Sequence, residues 1–214
     1  MNSNEKVAKI LLEIKAVTLS PRKPYRFVSG LLSPIYTDNR LLMSYPKYRR
    51  EIVKLLADLV RKIGKPDVIA GTATAGVAFA AWLSEELNLP MVYTRIQAKD
   101  HGRGKQVEGV LKRDQKVLVI EDLISTGKSG LETLSIIRKN GGKVDDVVSI
   151  FSYTLTQSLQ NYQKAKAKLY YLVDAPSLLE VAEKEGCIKE KEKNAILEWI
   201  KSPVDWEKKR TGFG

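Results

Sequence analysis

The sequence predicts an α/β protein with a central, mostly parallel sheet flanked by helices. Short apolar strands alternate with helical segments from residue 46 to residue 175, the pattern of consecutive βαβ units. Short, fully apolar strands such as Val117-Leu118-Val119-Ile120 suit a sheet covered on both faces. In such sheets ligands sit outside the carboxyl ends of the strands.

The elements follow from spacing. Val7, Ile10, Leu11 and Ile14 recur at i, i+3, i+4, i+7, so residues 4–16 form an amphipathic helix. Residues 20–45, rich in Ser, Pro, Gly and Tyr, read as loop with short extended pieces. Pro46 opens a helix with Ile52, Leu55, Leu56, Leu59, Val60 and Ile63 on its apolar stripe, and Gly64 closes it. Strand Asp67–Ala70, small-residue loop Gly71–Gly76, helix Val77–Leu87 and strand Met91–Thr94 come next. A polar stretch, Arg95–Gly109, leads to strand Val117–Ile120 and helix Ser129–Asn140, stopped by Gly141-Gly142. Then come strand Val147–Phe151, helix Thr156–Ala165, strand Leu169–Val173, and helices Pro176–Glu185 and Glu190–Ile200. Lys201–Gly214 is polar and reads as a loosely held tail. Three regions result: an N-terminal helix and hood over 1–45, an α/β core over 46–175, and C-terminal helices with the tail over 176–214.

Composition narrows the classes. Charged residues are 29% and hydrophobic residues 43%, a globular balance. Cys187, the single cysteine, has no partner for an internal disulfide; it fits a reducing compartment and reads as a small, partly buried residue. No run approaches the roughly 18 apolar residues of a membrane span, and the N-terminus lacks a secretory pattern, so a cytoplasmic protein is expected. The net charge of +11 is concentrated: residues 20–50 hold seven Lys/Arg against one Asp, and residues 95–113 hold six against two acids. Such clustering fits an anionic ligand. A solvated basic face accounts for the same charge.

One segment carries chemistry: Val117-Leu118-Val119-Ile120-Glu121-Asp122-Leu123-Ile124-Ser125-Thr126-Gly127-Lys128-Ser129. Four apolar residues end in two carboxylates, placed where the strand is expected to leave the sheet. A hydroxyl–glycine turn follows and opens a helix. Free N–H groups and the positive end of the helix dipole make that turn a phosphate seat. Ser125, Thr126 and Ser129 add hydroxyl donors, and Gly127 lets the backbone approach closely. Glu121 and Asp122 then suit sugar hydroxyls, with Mg²⁺ nearby. A surface acid pair before an ordinary helix cap is the plainer alternative. Two other phosphate motifs fail. A P-loop ending in Gly127-Lys128-Ser129 needs glycine where Asp122 stands, and a G-x-G-x-x-G begun at Gly102 needs glycine where Val107 stands.

Val117–Ser129 resembles the phosphoribosyl diphosphate (PRPP) signature of type I phosphoribosyltransferases. Three further segments are similar to those of the orotate phosphoribosyltransferases within that family. They are Phe27-Val28-Ser29-Gly30-Leu31-Leu32-Ser33-Pro34-Ile35-Tyr36-Thr37-Asp38-Asn39-Arg40, the small-residue loop Ile69–Gly76, and Arg95-Ile96-Gln97-Ala98-Lys99-Asp100-His101-Gly102-Arg103-Gly104. The resemblance spans residues 5–200. It implies the type I phosphoribosyltransferase fold, with a small hood made by the N-terminal segment and the C-terminal helices. It also implies Mg-dependent transfer of the 5-phosphoribosyl group from PRPP to orotate, on the route to UMP, by a homodimer whose 95–109 loop reaches the neighbouring site.

Roles follow from the same resemblance. Arg95, Lys99 and His101 match loop positions that contact PRPP and, with Asp122, are the catalytic candidates. Glu121 and Asp122 match the residues that hold the ribose hydroxyls, with the metal carried mainly by PRPP. Leu123, Ile124, Ser125, Thr126, Gly127, Lys128 and Ser129 match the 5′-phosphate loop, and Thr72 and Ala73 the diphosphate loop. Ser125, Ser29 and Tyr36 are the orotate candidates, although turn structure around Gly30 and Pro34 also accounts for the last two. One branch of the family has basic residues where this chain has Val28, Ile96 and Tyr153. The chain is more similar to a second branch, found in many Gram-positive bacteria, that also lacks them. Transfer to another nucleobase is the alternative these departures raise, and a PRPP-sensing RNA-binding regulator is the one the charge raises. The intact Arg95, Lys99 and His101 speak for the enzyme, and no nucleic acid is expected.

Overall fold

The computed structural model describes residues 2–26, 30–95 and 106–211. The chain runs α1 (Ser3–Glu13), β1 (Val17–Leu19), β2 (Tyr25–Arg26), β3 (Leu32–Ser33), β4 (Ile35–Thr37), a 3-10 helix (Asn39–Ser44) and α2 (Pro46–Ile63). It continues β5 (Val68–Thr72), α3 (Ala75–Leu87), β6 (Met91–Thr94), β7 (Val107–Glu108), β8 (Lys116–Ile124), α4 (Lys128–Lys139) and β9 (Lys143–Ser152). It closes with α5 (Thr156–Lys164), β10 (Lys168–Asp174), α6 (Ala175–Lys184), α7 (Glu190–Lys201) and α8 (Pro203–Thr211).

Six strands form the central sheet in the order β10-β9-β8-β5-β6-β7. All neighbours are parallel except β7, which lies antiparallel on β6. The expected parallel α/β sheet is therefore observed. Side chains alternate between its faces. Leu118 and Ile120 of β8 and Ile69 of β5 join one core with α2 (Ile52, Leu56, Val60) and α3 (Phe79, Leu83). Val117 and Val119 of β8 and Val68 and Ala70 of β5 join the other core with α4 (Leu134, Ile137) and Tyr162 of α5. Each of the Val, Leu, Ile and Phe side chains among these contributes roughly 1.5–3 kcal/mol by leaving water.

The two ends of the chain pack against each other. α1 lies on α6, and Trp199 of α7 is buried with its indole N–H donating to the Leu32 carbonyl of β3, 2.8 Å away. Arg22 is paired with Glu192 at 2.9 Å. Small two-stranded pairs, β1 with β4 and β2 with β3, lie in the same N-terminal segment.

Four expectations need correcting. β8 does not stop at Ile120: it pairs with β9 through Ile124, so Glu121 and Asp122 lie within the strand. Cross-strand hydrogen bonds hold the backbone there, and the polar side chains find partners or cleft. The tail is not loose throughout, because Pro203–Thr211 is helical and Trp206 is buried in the same core as Trp199. Val107–Glu108, expected within a polar stretch, forms the sheet's antiparallel edge. Cys187 is exposed, since it follows the left-handed Gly186 in the turn between α6 and α7.

α3 sits tightly on β8. A Cβ at Gly76 would stand 2.6 Å from the Ile120 carbonyl oxygen, a backbone atom that cannot swing aside. Gly76→Ala is therefore expected to destabilise the protein by about 1–3 kcal/mol through overpacking. The check is a thermal melt, and an unchanged Tm would contradict the contact.

Candidate active site

The site forms at the carboxyl end of β8. Because successive residues of a strand face opposite ways, Glu121 continues the Val117–Val119 face toward α4, and Asp122 continues the Leu118–Ile120 face toward the N-terminal segment. The two carboxylates are neighbours in sequence and diverge in space.

Glu121 is 3% exposed. Its Oε1 accepts a hydrogen bond from the Ser129 hydroxyl of α4 at 2.7 Å. Thr72, at the tip of β5, lies against the same carboxyl without hydrogen-bond geometry, and its buried Oγ1 has no partner among the described residues. Burial pushes the Glu121 pKa up to about 8; the Ser129 hydrogen bond opposes the rise and the charge of Asp122 adds to it. At neutral pH Glu121 is mostly a carboxylic acid.

Asp122 is half-buried. Burial raises its pKa to about 6, against the Leu123 N–H, its own N–H and the nearby Arg40 charge, which favour the ionised form; Asp38 acts with the burial. Asn39 fixes this side. Fully buried, it donates through Nδ2 to the Asp122 carbonyl at 2.7 Å. Asp38 caps the following 3-10 helix and holds Arg40 through two short contacts of 2.7 and 2.8 Å.

Beyond β8 the chain turns through Ser125, Thr126 and Gly127 into α4. Gly127 has φ 81, a left-handed conformation that glycine adopts without penalty. A Cβ there would also meet the ring of Tyr162 at 2.7 Å. The first N–H groups of α4 have no intrahelical acceptor and point at whatever occupies the turn. Glu121–Leu123, Ser125–Ser129 and Glu132 line a cavity of about 420 Å³. A larger one, about 710 Å³, lies between α1 and α6 and has no comparable turn.

The structure brings Glu121, Asp122, Leu123, Ser125, Thr126, Gly127, Lys128 and Ser129 to this cavity. Ile124 is buried in the core beneath α4, so only its backbone faces the turn. Thr72 ends β5, the strand beside β8, and Ala73 follows it. Arg95 follows β6, one strand further, where its guanidinium bonds the Tyr93 hydroxyl at 3.1 Å and pairs with Glu108 at 3.4 Å. Tyr36 is exposed on β4, its ring 5.5 Å from that of Tyr25. Tyr153 is buried against Phe151 and Trp199, with Thr37 beside its hydroxyl, and thus supports the hood from inside. Ser29, Lys99 and His101, with Val28 and Ile96, lie outside the described residues. Sequence reasoning passed over Asn39, although it stands inside the quoted Thr37–Arg40 motif, because nothing in that motif marks an asparagine as buried. Among the described residues, no group of three His, Cys, Asp or Glu side chains forms a metal cluster.

Comparisons with known proteins bear on this geometry. The phosphoribosyl transferase domain family matches residues 42–184. The orotate phosphoribosyltransferase of Coxiella burnetii is 47% identical over 97% of this chain and 100% of its own length. The chain belongs to the orotate phosphoribosyltransferases. The enzyme of that name from Listeria monocytogenes is 45% identical over 97% of this chain and 100% of its own, which brings the Gram-positive branch of the family alongside it. The crystal structure of orotate phosphoribosyltransferase from Aeropyrum pernix is similar with TM-score 0.73 and 25% identity, covering 85% of this chain and 99% of that one. The fold is thus that of the orotate phosphoribosyltransferases, with the six-stranded sheet between its helices.

The raised carboxyl pKa values set a pH dependence. The folded state binds protons that the unfolded state has released between the ordinary carboxylate range and about 8. The stability contributed by these two carboxyls is therefore fully present below about pH 4, is lost as the pH rises toward 6 for Asp122 and 8 for Glu121, and is level above. Glu121→Gln removes the larger share of this loss. The variant's Tm relative to the parent should rise between pH 5 and pH 9; parallel Tm–pH curves would contradict the buried neutral acid.

Proposed function

We propose that the protein transfers the 5-phosphoribosyl group of PRPP to orotate in the cytoplasm, giving orotidine 5′-monophosphate and diphosphate. The observation that carries this is the end of β8, where two diverging carboxyl groups run straight into a small-residue turn on the N-terminus of α4. The turn takes the 5′-phosphate on its N–H groups and hydroxyls. Glu121 and Asp122 take the ribose hydroxyls, which lie one sugar ring away. Thr72 and Ala73, on the adjacent strand, take the diphosphate, and the unpartnered Thr72 hydroxyl suits that role. Ser125 meets both the phosphate and the base, with Ser29 and Tyr36 on the base side.

The reaction separates charge. Negative charge gathers on the departing diphosphate while the sugar becomes cation-like. Arg95, Lys99 and His101 stabilise the first, and ionised Asp122 the second. Positioning therefore matters more than a covalent nucleophile. The donors present fit a magnesium ion carried by the substrate: oxygen ligands line one wall of the cleft, and the described residues form no closed cage. Bound Mg²⁺ supplies charge neutralisation of the diphosphate. The working unit is a homodimer in which residues 95–109 of one protomer reach the partner's site.

The relatives named above favour orotate over another base, and a regulator without turnover has no feature of the cleft in its favour. Orotate absorbance, followed with PRPP and Mg²⁺, tests the reading. Consumption is expected, and no consumption while another base reacts would overturn it. Lys99→Gln should cut turnover by roughly a hundredfold or more, the scale of losing one charge-stabilising donor, with the Tm unchanged. A variant that turns over normally would remove Lys99 from the mechanism. Asp122→Asn should weaken PRPP binding about tenfold, the scale of a lost charged hydrogen bond. Titration calorimetry with Mg²⁺ present decides this, and unchanged affinity would contradict the role.

A further inference from the structure

The roles above leave one buried group without work. Tyr162 of α5 is 2% exposed, and its hydroxyl has no hydrogen-bond partner among the described residues. Its place is unusual. The ring lies beneath Gly127, and the hydroxyl oxygen stands 2.2 Å from where a Cβ on Gly130 would be. Oε1 of Glu121 is 3.3 Å from that same point. The bare backbone of Gly130 thus lets the phenol and the carboxyl approach the same point. The carboxyl is engaged elsewhere, accepting from the Ser129 hydroxyl. A buried hydroxyl with no partner carries a desolvation penalty that a rearrangement can relieve.

We propose that Tyr162 is a positioning residue that links the phosphate turn to the sugar-facing carboxyl: when a phosphate takes the Ser129 hydroxyl, the Tyr162 hydroxyl replaces it on Glu121. This rests on the reading of the turn as the 5′-phosphate seat. The hydrogen bonds balance. In the free protein Ser129 donates to Glu121 and Tyr162 to nothing. In the occupied protein Ser129 donates to phosphate and Tyr162 to Glu121 Oε1, so both hydroxyls have an acceptor, and the proton Glu121 carries stays on its outer oxygen. Glu121 keeps one donor throughout and its outer oxygen stays oriented for the ribose. The phenol remains a donor at every working pH, because burial and the nearby Glu121 charge hold its pKa above the ordinary tyrosine value. Phosphate binding and sugar binding are thereby coupled through one side chain that touches neither.

Calorimetric titration of the full chain with ribose 5-phosphate tests this on four proteins: parent, Tyr162→Phe, Ser129→Ala and the double variant. Tyr162→Phe keeps the ring under Gly127 and removes only the hydroxyl. It should weaken binding about fivefold, the scale of one hydrogen bond, while the Tm holds or rises and the KM for orotate does not move. In the Ser129→Ala background Glu121 Oε1 is free for the phenol both before and after ligand binds, so Tyr162→Phe should leave the affinity nearly unchanged there, and the two losses should not add. Parent-like binding by Tyr162→Phe, or the same loss in both backgrounds, would overturn the exchange while leaving the phosphate seat intact. A parent protein that fails to bind ribose 5-phosphate would overturn the seat and the exchange together.

Discussion

A strand inside a sheet must send successive side chains to opposite faces, and this constraint organises the site. Were Glu121 and Asp122 in a loop, both could turn to one ion. Held in β8 by pairing with β9 through Ile124, they leave the strand on its two faces and reach the same cavity from different sides. Glu121 enters the layer under α4, where burial keeps it protonated and Ser129 orients it. Asp122 enters the layer under the N-terminal segment, where Asn39 and Arg40 meet it. The sheet thus gives two chemically similar groups two environments, and the lower pKa of Asp122 leaves it the readier anion.

The rest of the fold serves to hold that strand tip. β5 on one side brings Thr72 to Glu121, and the bare backbone of Gly76 lets α3 close on Ile120. On the other face Tyr162 packs under Gly127 and sets the shape of the turn. The hood is held by the far end of the chain: Trp199 bonds Leu32, and Trp206 extends the same core. Tyr153, standing where another branch of the family has a basic residue, is part of this internal support. Its burial suits an uncharged side chain, since a charge in that apolar setting would need a partner.

Much of this was legible in the sequence, for physical reasons. Strands buried on both faces must be apolar throughout, which is why Val117–Ile120 stands out and the parallel sheet follows. The diacid and the hydroxyl–glycine turn are contiguous, so the cavity they share, the proposed phosphate seat, can be located without tertiary contacts. What escaped depended on partners distant in sequence. The strand was expected to end at Glu121 because charge usually marks an exit, yet the Ser129 hydrogen bond and the protonation that burial favours make that carboxyl tolerable inside the sheet. Lys201–Gly214 reads as polar, and only the pocket around Trp206 explains α8. The hood strands span two or three residues, too few to show a period. Asn39 and Tyr162 look ordinary in sequence, and only their burial marks them.

On the function proposed above, the tip of β8 grips a sugar between its 5′-phosphate and its ring hydroxyls. A crystal structure of the protein with PRPP and magnesium tests it most directly. The phosphate should lie on the N–H groups of residues 125–129, with the ribose hydroxyls within hydrogen-bond reach of Glu121 and Asp122. Density for the sugar in any other cavity, with this turn empty, would contradict the account.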